Sequence, residues 1–303
     1  MEGRVFTDTT EFCSIDWGDI IQVGEKRYRV TGHERERRFG VDDPKFWVKR
    51  VVDMDTGEKK IVKLSFFESF DTSLGGVKIK CFRDPEKEAG ILSLVKGHPH
   101  FMQGTSHKDS KDNNIRVLDI VRGLNFFVYI DSLSMSYESY FRVVLPDILR
   151  KLVKAFEAIR FLHVQGFKHG DIRNDHLIVE RESGDYIWID FDFDYVADES
   201  PYSLDIFGLG NILLYTVGRG FHNLYDIQNN RSTYGDLIDR LDPGDFSILD
   251  KWRLMNLRKL YPFIPPILND ILLHFSRRSE LFYEHSEELI EDLTRCMYSV
   301  FKQ

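Results

Sequence analysis

The stretch from Lys168 to Asp194, KHGDIRNDHLIVERESGDYIWIDFDFD, constrains this chain more than any other. His169-Gly-Asp171 leads it. His176-Leu-Ile-Val179 follows, then a turn at Glu182-Ser-Gly-Asp185, then Tyr186-Ile-Trp-Ile189 running into Asp190. Two β-type runs around a short polar turn predict a hairpin, and a two-stranded ribbon brings the chain back to its starting edge. Asp171 and Asp190 are therefore expected at one edge, one carboxylate free to take a proton and the other to hold a cation. Ordinary loop aspartates at strand ends are the plain alternative, so the rest of the chain has to decide.

A chain of 303 residues can bury a sizeable core as one large domain or two lobes. Its net charge of −8 arises from 41 basic against 49 acidic residues, which argues against nucleic acid as an obligatory partner. The run His33-Glu-Arg-Glu-Arg-Arg38 alternates in sign and reads as a solvated strand or loop. Cys13, Cys81 and Cys296 are scattered, with no CxxC pair, and fit a reducing compartment better than a disulfide framework or a zinc site. The N-terminus carries acids and no apolar core, unlike a secretory signal. No apolar run approaches the length of a bilayer span. The expectation is a soluble cytoplasmic protein with no membrane and no nucleic-acid partner.

Residues 1–19 read as an N-terminal extension and 20–132 as a β-rich lobe. Lys26 to Thr31, Lys45 to Val52 and Lys60 to Phe66 are β-type runs separated by turn signals, Asp55-Thr-Gly57 among them. A helix should follow, with Asp84 as N-cap, Pro85 at its first position and Gly97 closing the segment. Ile115 to Val121 and Phe126 to Ile130 are expected as further strands of a small mixed sheet. Residues 133–303 read as a helical lobe. Pro146 opens a segment with apolar residues at helical spacing, Leu204 to Val217 is apolar nearly all round, and Pro266 to Phe301 reads as two more helices. A β-rich lobe before a helical one, with the acidic hairpin at their junction, suggests a cleft between lobes.

The pieces, in order, are Ile61-Val-Lys63, Glu88 within EKEAGIL, His169-Gly-Asp-Ile-Arg173, Asp190-Phe-Asp192 and Ser203-Leu-Asp-Ile-Phe-Gly-Leu-Gly210. Over roughly residues 20 to 300 this order resembles the protein kinase superfamily, in an atypical, bacterial-looking, eukaryotic-like form whose catalytic loop reads H-G-D. The resemblance implies an α+β, bilobal kinase-like fold. It also implies an ATP- and magnesium-dependent phosphotransferase, most simply of serine/threonine protein kinase type, acting on a hydroxyl of an unknown acceptor.

By that resemblance Lys63 holds the α- and β-phosphates and Glu88 orients it through an ion pair. A surface lysine and a solvated helix glutamate are the plainer readings of these two, and Glu86 lies close enough to compete. Gly32 and Gly40 bracket the phosphate loop, and Ile61 and Ile130 line the nucleotide. Asp171 is the base, Arg173 touches the transferred phosphate and Asp190 is the magnesium ligand. His176 stands where kinases carry a metal-binding asparagine, although an imidazole is a poor magnesium ligand. Asp205 stiffens the catalytic-loop backbone, or simply caps its own helix.

Four departures accompany the resemblance. No G-x-G-x-x-G occurs between Gly32 and Gly40, so an arginine among Arg35, Arg37 and Arg38 is expected to replace some backbone contacts to phosphate. His176 replaces the asparagine. Gly170 replaces the arginine of H-R-D, as in aminoglycoside- and choline-kinase-like enzymes, which removes the partner of an activation-loop phosphate. The segment from Asp190 to Asp205 is short, lacks A-P-E, and carries Asp192 in place of the D-F-G glycine. A small-molecule kinase and a nucleotide-binding pseudokinase scaffold therefore stay open beside the protein kinase. A metallophosphatase does not fit, because no histidine has an aspartate two residues before it.

Overall fold

The computed structural model describes residues 3–38, 41–74, 77–196 and 200–301. Gly40 lies outside the described residues, as do the side chains of Arg37 and Arg38. In chain order the strands begin with β1 (Val5–Phe6), β2 (Ile20–Val23), β3 (Lys26–Arg38), β4 (Val41–Asp53) and β5 (Lys59–Lys63). After them come β6 (Ser69–Leu74), β7 (Val77–Arg83), the helix α1 (Pro85–Leu94), β8 (Gly104–Lys108) and β9 (Asn114–Asp119). The chain continues through β10 (Gly123–Asn125), α2 (Phe126–Ser132), α3 (Tyr137–Ser139), α4 (Leu145–Val164), β11 (Leu177–Glu180), β12 (Tyr186–Trp188) and β13 (Phe193–Val196). It ends with α5 (Ser203–Gly218), α6 (Leu224–Asn229), α7 (Arg231–Tyr234), α8 (Pro266–Leu273) and α9 (Ser286–Val300). This is the expected α+β, kinase-like fold, with a β-rich part followed by a largely helical one.

The chain divides into two compact units. The first comprises Met1–Ser69, Phe82–Arg122 and Phe191–Phe193. Its sheet runs in the order β1-β2-β3-β4-β5-β9-β8, antiparallel except for the β1–β2 pair. Ile21, Val30, Val51, Val62, Leu64 and Ile115 form the core on one face. Alternation along β5 buries Val62 and sends Lys63 to the opposite face. The sign-alternating run at His33 is strand, part of the long β3–β4 hairpin, whose register shifts between Val30 and Gly32 and again between His33 and Glu34. Helix α1 starts as its sequence dictates. The Asp84 side chain accepts hydrogen bonds from the Glu86 and Lys87 amides, and Pro85 fills the first turn.

The second unit comprises Phe70–Cys81, Gly123–Asp190 and Asp194–Gln303. Helix α4 buries Leu149, Leu152, Phe156, Ile159 and Leu162, and α5 is buried along most of its length. The hairpin β11–β12 pairs Leu177 with Trp188, and β10 adds a third strand. Trp188 anchors it by donating its indole N–H to the Ala155 carbonyl at 2.8 Å.

One sequence expectation fails here. Phe126 to Ile130 is helix, not strand. The Asn125 side chain accepts the Val128 amide as an N-cap, and Phe126 and Ile130, four apart, are the two buried residues of α2. A short apolar run carries no periodicity that separates a strand from one turn of buried helix.

Candidate active site

In the first unit, β5 and α1 bring Lys63 and Glu88 together. Lys63 Nζ lies 2.8 Å from Glu88 Oε1, with the two side chains 7% and 0% exposed. Glu86, the competing acid, faces solvent and pairs with Lys108. Burying both ions leaves each dependent on the other, because neither has water to replace a lost partner. Arg116 on β9 completes Glu88, its Nε 3.1 Å from Oε2. Asp192 approaches from the segment after Asp190, with Oδ2 3.5 Å from Lys63 Nζ and Oδ1 2.8 Å from Arg83 Nη1. The Arg83 guanidinium also stacks on Phe193, 3.9 Å from the ring centroid.

Ile61 shares the Lys63 face of β5 and is half-buried. Gly32, Arg50 and Ile61 stand in register across β3, β4 and β5. Ile130 has a different setting from the one expected. It is a fully buried core residue of α2 in the second unit.

In the second unit, Asp205 organises the backbone at His169 and Gly170. Its Oδ2 accepts the His169 amide at 2.7 Å and its Oδ1 the Gly170 amide at 2.9 Å, while His163 Nε2 stands 3.0 Å away. Asp205 lies within the first turn of α5, past the N-cap position of Tyr202, so of its two readings the backbone tether is the one the geometry matches. Gly170 has φ +88°, in the region that side chains disfavour.

This turn presents Asp171, and the hairpin returns Asp190 to the same place. His176 stands between them. Its Nδ1 donates to the Asp171 carbonyl oxygen at 2.9 Å and lies 3.4 Å from Asp171 Oδ2, while its Nε2 is 3.6 Å from Asp190 Oδ2. Burial pushes the Asp171 carboxyl above the usual range, against the opposing pull of His176 and Arg173. Asp190 adopts φ +64°, a conformation in which aspartate is enriched among non-glycine residues. Arg173, expected on the transferred phosphate, is committed to a forked pair with Asp175 at 2.9 and 2.6 Å, and its Nη1 stands 3.9 Å from Asp171 Oδ2.

The donor chemistry bears on magnesium. Among the described residues no group of three or more histidine, cysteine or acidic side chains is assembled for a metal. Magnesium is commonly held by one or two carboxylates together with substrate phosphates, and Asp190 fits such a ligand set. His176 does not fit as a ligand.

Sequence reasoning missed Arg83 and Arg116. Arg116 had a usable signal, a lone cation inside the apolar strand NIRVLD, the same pattern that marked Lys63.

No protein-family model matches the chain. Over 134 residues it is 27% identical to the liver/testis isoform of the phosphorylase b kinase gamma catalytic chain of Rattus norvegicus, covering 44% of this chain and 31% of that protein. The Mus musculus counterpart is 26% identical over the same length. The chain spans about a third of the length of these curated relatives. Its fold and this distant similarity both point to protein kinases in general. Among the described residues no helix is long and apolar enough to cross a membrane.

Proposed function

We propose that this chain is an ATP- and magnesium-dependent phosphotransferase that moves the γ-phosphate to a hydroxyl, acting as a serine/threonine-type protein kinase. The observation that carries the reading is the buried pair of Lys63 with Glu88 at 2.8 Å. An ammonium held by a fully buried carboxylate is fixed in direction, as a cation for the α- and β-phosphates must be. Gly32 and Ile61 flank the nucleotide in this reading.

Asp171 takes or orients the proton of the attacking hydroxyl, a role its raised proton affinity suits, and Asp205 keeps its loop rigid. Asp190 is the residue to hold magnesium, which supplies charge neutralisation at the phosphate oxygens. Arg173 acts through its remaining edge toward Asp171, its fork being taken by Asp175.

A second reading, a nucleotide-binding scaffold without transfer, is favoured by the imidazole of His176 lying against both carboxylates. Thermal shift with ATP, with and without magnesium, on wild type and Asp190→Ala, tests the first requirement. A ligand at about a hundred times its Kd raises stability by roughly 2.7 kcal/mol. No shift in the wild type removes both readings. A shift needing magnesium and Asp190, with phosphate transfer that Asp171→Asn abolishes, separates the enzyme from the scaffold.

A further inference from the structure

Between Lys63 and Glu88 the chain inserts a hairpin, β6 and β7, and β7 is the central strand of a three-stranded sheet in the order β13-β7-β6. Strand β13, Phe193–Val196, is the stretch that follows Asp190 on the way to α5. The segment beyond the aspartate proposed to hold magnesium is therefore held by main-chain pairing to a distant part of the sequence.

Side chains hold it as well. In the first unit the Lys87 ammonium donates to the Phe193 carbonyl oxygen, and Arg83 takes Asp192. In the second unit Lys168, the residue before His169, donates to the Tyr195 carbonyl at 2.6 Å. Its ammonium also lies 3.3 Å from an Asp194 carboxylate oxygen and 4.4 Å from the Tyr195 ring centroid. Both side chains of this ion pair are largely shielded, 18% and 23% exposed. A shielded pair joined to a carbonyl bond and an aromatic face holds more firmly than an exposed pair alone.

A phosphate orders such a segment by adding negative charge that a nearby cation grips. Here the charge is encoded. Asp194 supplies the acid, and Lys168 supplies the cation on the loop whose Gly170 leaves no arginine for a phosphate. The hydroxyl residues between Asp190 and Asp205 are Tyr195, Ser200, Tyr202 and Ser203. Tyr195 is buried, Tyr202 donates to the His163 carbonyl at 2.8 Å and Ser203 to the Ser200 carbonyl at 3.1 Å. Of the four, that leaves the Ser200 hydroxyl to be tested as a switch.

We propose that Lys168 is a positioning residue that, together with β7, fixes the segment following Asp190 in its working place without phosphorylation, so that transfer does not depend on that modification. The proposal rests on the kinase reading above and adds the regulation of the same site.

The test is single-turnover phosphate transfer from magnesium-ATP to a random serine/threonine peptide library. The protein is the 303-residue chain after phosphatase treatment, with mass spectrometry showing the segment free of phosphate. Treated and untreated protein are expected to transfer at the same rate without a lag, and Ser200→Ala to match them. Lys168→Met should raise the magnesium needed for half-maximal transfer; a segment in place about a tenth of the time raises an apparent requirement about tenfold. Lys80→Pro interrupts the central strand β7 at an exposed side chain and should act in the same direction. Lys168→Met serves if Lys80→Pro fails to fold. Lys168→Arg should keep the wild-type requirement, because a guanidinium also pairs with a carboxylate and stacks on an aromatic ring. A lysine of merely structural importance would lower stability without moving the magnesium requirement, and that result overturns the proposal. So does a treated protein that transfers only after Ser200 gains phosphate, faster transfer in Lys168→Met, or a treated protein that magnesium-ATP stabilises but that transfers nothing. Each of these outcomes leaves nucleotide binding standing, whereas no stabilisation by magnesium-ATP removes the kinase reading itself.

Discussion

Asp192 and Arg83 form a buried ion pair, Oδ1 to Nη1 2.8 Å, two residues beyond Asp190. The Asp192 main chain is held as well, its carbonyl accepting the Asp84 amide at 2.7 Å. The residue standing where kinases carry a flexible glycine is thus tied to the start of α1. Asp192→Gly removes one of the two acids on Arg83, Glu68 remaining at 3.0 Å, so a loss of about 1.5–3 kcal/mol, the scale of a charge-assisted hydrogen bond, is expected. The double variant Arg83→Met with Asp192→Leu should recover much of that loss. Urea denaturation measures both, and a single-variant loss below about 1 kcal/mol would mean the pair is not what fixes this segment.

Asp205 accepts the two amides that shape the turn before Asp171. Asp205→Asn keeps one acceptor oxygen and loses the charge, so a stability loss of about 1.5–3 kcal/mol is expected. Phosphate transfer should fall while the magnesium-ATP thermal shift persists, since in the proposed reading the nucleotide is held by Lys63, which Asp205 does not contact. Equal losses of binding and transfer would show that Asp205 supports the whole unit rather than the loop.

The hairpin of Asp171 and Asp190 was legible because turn chemistry and β-type runs are local, and α1 because Asp84-Pro85 is a local start signal. Glu88 could be preferred over Glu86 from spacing, but its second partner, Arg116, lies on a strand 28 residues away, a pairing no local pattern encodes. Gly170 was visible as a departure. Only its φ of +88° gives a backbone reason for glycine there. Arg173 shows a limit of a different kind. Its identity suggested a phosphate contact, while Asp175, two residues on, had first claim on its fork.

Lys49 is buried in the first unit, its Nζ donating to the Phe12 and Ile15 carbonyls at 2.9 and 2.5 Å and lying 3.4 Å from His33 Nδ1. Burial lowers its pKa to about 8, against the opposing pull of Asp16, Cys13 and Asp19. The unfolded chain keeps this proton up to its ordinary value near 10.4. Between those limits the unfolded state binds more protons, so this lysine's contribution to stability rises with pH, at up to about 1.4 kcal/mol per unit. Below pH 8 both states are protonated and the contribution is flat. The difference between wild type and Lys49→Met in denaturation midpoints from pH 7.5 to 10.5 isolates it; a difference that shrinks as pH rises would contradict the assignment.

Asp171 and His176 can be separated by substitution. Asp171→Asn should lower phosphate transfer by ~10²–10⁴-fold while the magnesium-ATP thermal shift is retained, because a base acts on the transferring proton and not on nucleotide affinity. His176→Asn loses the imidazole contacts to both carboxylates and puts a carbonyl oxygen, a hard ligand, where the ring stood. If the imidazole restrains the site, this variant should need less magnesium for half-maximal transfer. If His176 chiefly fixes Asp171 through the 2.9 Å bond to its carbonyl, the variant should instead lose transfer with no change in magnesium requirement. Magnesium titrations of single-turnover phosphate transfer distinguish the two, and normal transfer in Asp171→Asn would remove the base from the scheme altogether.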